Sequence, residues 1–268
     1  MTSKQTREEL TKEFKGIKYI LTSGMRSKLL LAVYEKPKNL DDLRTELEKP
    51  SATILHGLKE LETNNLIRKV NKYYELTSNG YIITTNMVKL IENWYSVNKS
   101  KLFWNNHDLS DIPEDVLKNI YLLKDARYIN STTSDLSNAF NAYIKLISKA
   151  EKLKIILPIY SENHFKHLIQ ILKKNKFTSL ELMITEEIKD AIQKNEYLNK
   201  SILQNEKVKI KCIKRKIKLF LTISEDFTSL TLFFKDGHYD DSQILIAHDK
   251  NSIKWAINLY SLFRREEI

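Results

Sequence analysis

The run PSATILHGLKELETNNLIRKVNKYYELT, residues 50–77, admits few folds. Ile54, Leu58 and Leu61 recur at i, i+4 and i+7, one buried stripe of a helix. Asn65 follows where a left-handed stop is needed, and Asn tolerates that conformation. Residues 66–70 and 73–76 then alternate as two short strands, with Asn71-Lys72 at the turn. The order is a helix, an abrupt stop and a two-stranded ribbon. A ribbon this short has no core of its own, so the preceding residues must supply support.

They do. Leu10, Phe14, Ile17 and Leu21 mark one face of a helix over residues 6–21, and Ser23-Gly24 breaks it. A second helix, 25–34, turns Leu29, Leu30, Ala32 and Val33 inward, and Pro37 ends that unit. Asn39 caps a third over 40–47, with Asp41 and Asp42 in its first turn. Glu48-Lys49-Pro50 is the connecting turn, and Ser51 is expected to cap the helix that follows. Three supporting helices, a stop and a basic hairpin predict a winged helix-turn-helix with 51–64 as its recognition helix. The outward face holds Ser51, Ala52, Thr53, Leu55, His56 and Lys59. Such short polar groups, a methyl, an imidazole and an amine meet phosphates, thymine methyls and purine acceptors in a major groove. Thr53, His56 and Lys59 are expected to read bases. Arg26, Ser51, Arg68, Lys69 and Lys72 are expected to hold phosphates or a groove edge. The expected partner is double-stranded DNA. The alternative is a winged helix used for RNA or protein contacts.

The opening Ser23-x-x-Arg26, the start Ala52-Thr53-Ile54 and the close Leu76-Thr77-x-x-Gly80 resemble the ArsR-like winged helix of archaeal regulators. Two positions depart from that pattern. Asn65 stands where the family usually has Gly, and keeps the stop. Gly57 lies inside the recognition helix, at about 1 kcal/mol against Ala. It either allows close backbone approach or is simply tolerated.

Beyond Gly80 a long helix is expected over 81–98. Ile83, Met87, Leu90, Trp94 and Val97 repeat as a heptad seam. The seam fits a homodimer, or packing on the equally spaced face of residues 10–21 in the same chain. Residues 104–108 and 111–113 read as a polar, turn-prone linker. The expected divisions are a DNA-binding domain over 1–80, a connecting and dimerising segment over 81–112, and a third part over 113–268.

In that third part residues 113–123 read as one short helix and 127–130 as a strand. Ser134 is expected to cap a helix to 150, before a strand at 153–159. Ser161 caps a helix to 174, before a strand at 179–184, and Thr185 caps the next helix. Strands alternating with capped helices imply a parallel sheet portion. Strands at 207–212, 219–223, 229–234 and 243–247 then read as an antiparallel series. Asp249 caps a last helix to Arg265, with Ile253, Ala256, Ile257, Tyr260 and Phe263 on its apolar side. The fold class is therefore mixed α+β: an N-terminal winged helix, a long connecting helix and a C-terminal mixed α/β sheet domain.

Ile112-Pro113, the strand end LPIY at 157–160 and the run LTLFFKDGHYDDSQILIAHDKNSIKWAINLY are similar to the C-terminal domain of archaeal methanogenesis-type transcriptional regulators. That resemblance implies a DNA-binding regulator of methanogenesis-related genes, with an effector or oligomerisation module behind its winged helix.

Composition narrows the chemistry. Lys plus Arg outnumber Asp plus Glu by 44 to 34 over 268 residues, a net +10. That suits a polyanion partner, or reflects a general taste for Lys, Asn and Ile. Cys212 is the sole cysteine, which excludes an intrachain disulfide and multi-cysteine zinc sites. No two of the five glycines are spaced for a dinucleotide fingerprint or P-loop. No run approaches the ~20 apolar residues of a membrane span. The first residues carry no secretory signal, so a cytoplasmic setting is expected.

Three clusters invite an enzymatic reading, and none holds. Residues 236–241, DGHYDD, have metal-ligand types but read as a turn around Gly237. His164-x-Lys166 opens a phospholipase D signature, yet position 171 is Ile where Asp is required. Lys207, Lys209, Lys211, Lys214, Arg215, Lys216 and Lys218 follow one another without an acid. They read as an edge strand defended by lysine, with Val208, Ile210 and Cys212 inward, or as an anion-binding surface. No catalytic residues, metal or cofactor are expected. A small anionic effector would sit at the carboxyl ends of the parallel strands. There Ser134, Ser161 and Thr185 begin helices and Tyr160 flanks them.

Overall fold

The computed structural model describes residues 4–264; Arg265, the last residue predicted helical, lies outside them. The chain divides into two compact units, Met1–Ile91 and Glu92–Ile268.

The first unit opens with α1 (Lys4–Leu21) and α2 (Gly24–Tyr34), and Ser23 caps α2 by accepting from the Arg26 N–H. Strand β1 (Lys38–Asn39) leads into α3 (Leu40–Leu47). Asn39 and Asp42 bond reciprocally to each other's backbone N–H, a capping box, and Glu48 at φ 51° ends the helix left-handed. Next come α4 (Ser51–Thr63), β2 (Ile67–Val70), β3 (Tyr73–Leu76) and α5 (Ser78–Lys99). Ser51 does not cap α4. Pro50 occupies the cap position, its fixed φ of −59° entering the helix directly, and Ser51 is the first helical residue. The hairpin gains a third strand: β1 pairs antiparallel with β3, giving the order β1-β3-β2. Two residues are too few to show alternation, so β1 left no sequence signal. Leu29, Leu30, Leu43, Ile54, Leu58 and Leu61 form the core.

The heptad seam on α5 is divided. Ile83 and Met87 pack in the first unit's core, and Val97 packs against a core of the second. Leu90 and Trp94 remain 59% and 70% exposed. On α1, Ile20 turns inward while Leu10, Phe14, Ile17 and Leu21 stay exposed, so no described residue covers that face.

The second unit begins with α6 (Lys101–Asn106), α7 (Glu114–Leu117) and a 3₁₀ turn at Ile120–Leu123. Residues 113–123 are thus two pieces, interrupted at Asn119, which hydrogen-bonds the Asp115 carbonyl. Then follow β4 (Arg127–Asn130), α8 (Asn138–Ile147), β5 (Lys152–Ile156), α9 (Glu162–Leu172), β6 (Ser179–Thr185), α10 (Glu186–Lys194) and α11 (Glu196–Leu198). Strands β7 (Val208–Ile213), β8 (Leu219–Ile223), β9 (Thr228–Leu232) and β10 (Gln243–Ala247) precede α12 (Lys250–Arg264). One seven-stranded sheet results, ordered β4-β10-β9-β8-β5-β6-β7. Pairs β5–β6 and β6–β7 are parallel and the rest antiparallel. One core, with α8, α9 and α10, covers one face; a second, with α6, α7 and α12, covers the other.

Four expectations fail here. Ser134 caps nothing: Thr132 and Asp135 bond to each other's backbone, and the helix starts only at Asn138. Thr, Ser and Asp side chains offer the backbone local partners in place of helix. Strand β7 does not open the antiparallel series; the α10–α11 crossover returns it parallel to β6. Its alternation is also incomplete. Val208 and Ile210 face the first core, but Lys211 is only 3% exposed, its Nζ 3.4 Å from Glu181 Oε1. Finally, residues 104–108 are no linker. Phe103 and Trp104 are buried on α6 and His107 beside it, an aromatic anchor masked in sequence by flanking Asn.

Candidate nucleic-acid interface

Helix α4 buries Ile54, Gly57, Leu58 and Leu61. By helical geometry this leaves Ala52, Thr53, Leu55, His56 and Lys59 exposed, with Ser51 half-buried. Gly57 belongs to the inward face. A Cβ there would lie 2.7 Å from Leu29 Cδ1, so the glycine lets α4 pack close on α2 and leaves the outer face untouched.

Arg26 is not among the outward groups. Its Nη1 donates to Glu60 Oε2 at 2.8 Å and its Nε to the Tyr19 carbonyl at 2.8 Å, and its guanidinium lies 3.7 Å from the centre of the Tyr19 ring. With these partners Arg26 clamps α1, α2 and α4 together, which corrects its expected role as a phosphate ligand. The hydrogen bond from Arg26 holds the Glu60 carboxyl below its ordinary pKa. His56 stands over the same carboxylate, Nε2 to Oε1 3.7 Å, with its ring largely in solvent.

The wing is held from both ends. Asn65 and Asn71 both take φ 55°, the left-handed conformation that stops α4 and turns the hairpin. Thr77 Oγ1 donates to the Asn65 carbonyl at 2.6 Å and accepts from the Gly80 N–H at 3.0 Å, while the Thr77 N–H donates to the Leu66 carbonyl. The Leu76-Thr77-x-x-Gly80 pattern is therefore the splice between recognition helix, wing and α5. Arg68 is paired across the strands with Glu75 at 2.6 Å, and Lys69 Nζ lies 5.4 Å from the centre of the Tyr74 ring. Lys59 and Lys72 are exposed, and among the described residues neither is held in an ion pair.

The expected effector residues do not converge on a cavity. Ser161 caps α9 and Thr185 caps α10, each accepting from a backbone N–H at 3.4 Å. Those bonds occupy helix-end donors that an anion would need. Tyr160 packs its half-exposed ring 5.7 Å from Phe165, and Ser134 lies in the turn ahead of α8. Residues 234–238 form a turn with Gly237 at φ 92°, Tyr239 then bridges back to Phe233, and the described residues hold no cluster of three metal-ligating groups. No described helix is long and apolar enough to cross a membrane.

Sequence reasoning missed a fully buried pair of titratable groups in the second unit. His107 and Asp240 have side-chain exposures of 0% and 2%, with Nε2 3.0 Å from Oδ2. His107 Nδ1 also meets the Phe103 carbonyl, and the ring stacks 5.0 Å from Phe234. Burial raises the Asp240 pKa, but hydrogen bonds from His107 and from the Ser242 N–H and hydroxyl outweigh it, so the carboxyl titrates below its ordinary value.

The first unit is a winged helix-turn-helix and the second a three-layer mixed α/β unit. Two family models match the chain in that order. Residues 14–94 match the N-terminal domain of methanogenesis regulatory protein FilR1, and residues 136–266 match its middle domain. The methanogenesis regulatory protein FilR1 of Methanothrix harundinacea (strain 6Ac) is 24% identical over 254 residues, 93% of this chain and 56% of that protein. The chain thus spans little more than half the length of that relative. Among solved structures, TrmBL2, an archaeal chromatin protein, overlays with a TM-score of 0.41 at 11% identity, covering 91% of this chain and 92% of its own. The N,N-8-amino-8-demethyl-D-riboflavin dimethyltransferase RosA of Streptomyces davawensis overlays with a TM-score of 0.27 at 11% identity, covering 79% of this chain and 67% of its own. Overlays this loose carry neither fold nor chemistry across.

Proposed function

We propose that this chain is a sequence-specific DNA-binding transcriptional regulator of methanogenesis-related genes. Its reading head lies in residues 1–80, its connecting and dimerising segment in 81–112, and an effector-responsive domain in 113–268. One observation carries the reading. Thr53, His56 and Lys59 project from a recognition helix whose inner face is fully committed to its own core, next to a wing carrying exposed Lys72. The matches to two domains of one regulatory protein support it. Thr53, His56 and Lys59 read base edges, with Ala52 and Leu55 offering methyls to thymine. Ser51, Arg68, Lys69 and Lys72 meet phosphates or a groove edge.

Selection from a random duplex library tests this. His56→Ala and Lys59→Ala should change the preferred site. Lys72→Ala should weaken all sequences alike and flatten the salt dependence by about one unit. A site preference unmoved by both helix substitutions would refute the assignment.

The homodimer uses the uncovered faces: Leu90 and Trp94 of α5, with Leu10, Phe14, Ile17 and Leu21 of α1. Large apolar side chains left exposed at a helical spacing suit a helix–helix contact between two copies. Sedimentation equilibrium should give twice the chain mass for the native protein and the single mass for Leu90→Glu/Trp94→Glu. A native protein that sediments as a monomer would remove the dimer from this reading.

A further inference from the structure

Where α8 ends, the sheet beneath it is left open. Ala142, Lys145, Leu146, Lys149 and Ala150 recur at helical spacing on one face of α8 and the turn that closes it. That face stands over the start of β4, the end of β10 and the β8–β9 turn. Between them lies a cleft of about 440 Å³, inside the range of about 300–1,000 Å³ that small-molecule sites occupy. Its floor is apolar: Ile129, Ala142 and Leu146 are half-buried, and Phe227 and Ile246 are buried beside them. Its mouth is basic. Arg127, Lys145 and Lys149 are exposed there, and among the described residues none of the three is held in an ion pair. Asp226 is the one carboxylate in the described lining. His248 closes one end, its Nδ1 3.1 Å from the Asp226 carbonyl and its ring 6.5 Å from that of Phe227, centre to centre.

Four ligand chemistries can be weighed. A cation would face three positively charged side chains against one carboxylate. An inorganic anion would suit that mouth and leave the apolar floor in water. A purely apolar molecule would use the floor alone. A carboxylate carried on an apolar body uses both. The body takes apolar floor out of water, worth about 25 cal/mol for each Å² covered. The carboxylate oxygens accept from the guanidinium fork or the ammonium groups above, the stronger class of hydrogen bond.

We propose that this cleft binds a small organic acid, a carboxylate on an apolar body. The body lies over Ile129, Leu146 and Ile246, and the carboxylate is received at the mouth by the group of Arg127, Lys145 and Lys149. The site goes beyond the regulator reading above and does not rest on it. It also stands apart from Ser161 and Thr185, whose hydroxyls are spent on capping α9 and α10.

The test is a calorimetric titration of the full chain with sodium 2-naphthoate near pH 7. Acetate controls for charge without a body, 2-naphthol for a body without charge, and 2-naphthylmethylammonium for the opposite charge. Naphthoate should bind saturably, and each control should bind at least about tenfold more weakly. The double variant Arg127→Gln/Lys149→Gln should weaken naphthoate by about tenfold or more while melting like the native chain, since both side chains are exposed. Lys166→Gln/Lys173→Gln, an equal loss of charge from exposed positions of α9 and its end, should leave binding unchanged. Ala142→Phe should fill the floor and block it. No saturable heat, or 2-naphthol binding as tightly as naphthoate, would overturn the site. So would native affinity in the Arg127→Gln/Lys149→Gln chain, the result expected of a ligand lying on the apolar faces of α1 and α5. An equal loss in the α9 pair would reduce the effect to net charge and overturn the site as well. Duplex binding on the same preparation keeps the two readings apart. Naphthoate binding without duplex binding refutes the regulator and leaves the cleft assigned, and duplex binding without naphthoate binding refutes the cleft alone.

Discussion

Gly80→Ala is expected to destabilise the first unit by about 3 kcal/mol or more and to abolish duplex binding with it. A Cβ at this position would stand 1.8 Å from the Leu66 carbonyl oxygen and 2.7 Å from its carbon. Both are backbone atoms and cannot swing aside as a side chain would. Relief requires moving either the wing or the start of α5. Either motion breaks the Thr77 bonds to Asn65, Leu66 and Gly80 that splice them. Gly57→Ala is the contrasting control. There the new methyl meets Leu29 Cδ1 at 2.7 Å and Met25 Cγ at 3.2 Å, both on side chains that can shift. Helix propensity returns about 1 kcal/mol, so the net loss should be small. Urea unfolding of the full chain, followed by fluorescence and circular dichroism, distinguishes the two. A Gly80→Ala protein as stable as the native one would show that the splice tolerates the methyl.

The second large effect is expected at His107→Leu, which should lower the stability of the second unit by about 3–5 kcal/mol. Leucine fills a similar volume but leaves the Asp240 carboxylate buried without its partner. The double variant His107→Leu/Asp240→Leu should recover much of the loss, because two apolar groups leave no buried charge behind. If the single substitution were no more harmful than the double, the pair would not be the anchor described. Acidification adds a signed check. In the native chain the Asp240 pKa is depressed, so its contribution is present above the ordinary carboxylate range and is lost as pH falls through the folded value. In His107→Leu the buried carboxyl is pushed the other way and folds best protonated. Lowering the pH should therefore narrow the difference between the two proteins.

These two sites differ in how far the sequence disclosed them. Gly80 belonged to a recognisable pattern, and its position was legible although its reason, a close approach to Leu66, was not. The winged helix was readable because local signals agreed with the tertiary result. Ile54, Leu58 and Leu61 kept one period, Asn39 and Asp42 one cap, and Asn65 and Asn71 two left-handed turns. His107 was hidden because its partner lies far along the chain and its neighbours are polar. The ring cluster of Phe140, Tyr143, His164, Phe220 and Tyr239 under α8 and α9 was hidden for a similar reason. Its rings come from two helices, one strand and a turn, and only the buried hydroxyls at alternate positions beneath them, Ser229 and Thr231, hint that the core there is not purely apolar. Arg26 shows the opposite error. A cation near a recognition helix looks like a phosphate ligand until Glu60 and Tyr19 are placed beside it. Direction of travel along β7 depended on α10 and α11, which the alternation of lysines does not encode.

The His107–Asp240 pair bears on how this chain can be taken apart. A fragment starting at residue 113 would keep all seven strands of the large sheet, yet it would strand a buried carboxylate and unroof the pockets that Phe103 and Trp104 fill. The seam between working parts and the seam between separable pieces therefore fall at different residues. Grafting this second unit behind a foreign head would require carrying α6 along, since its side chains are a wall of the unit they precede.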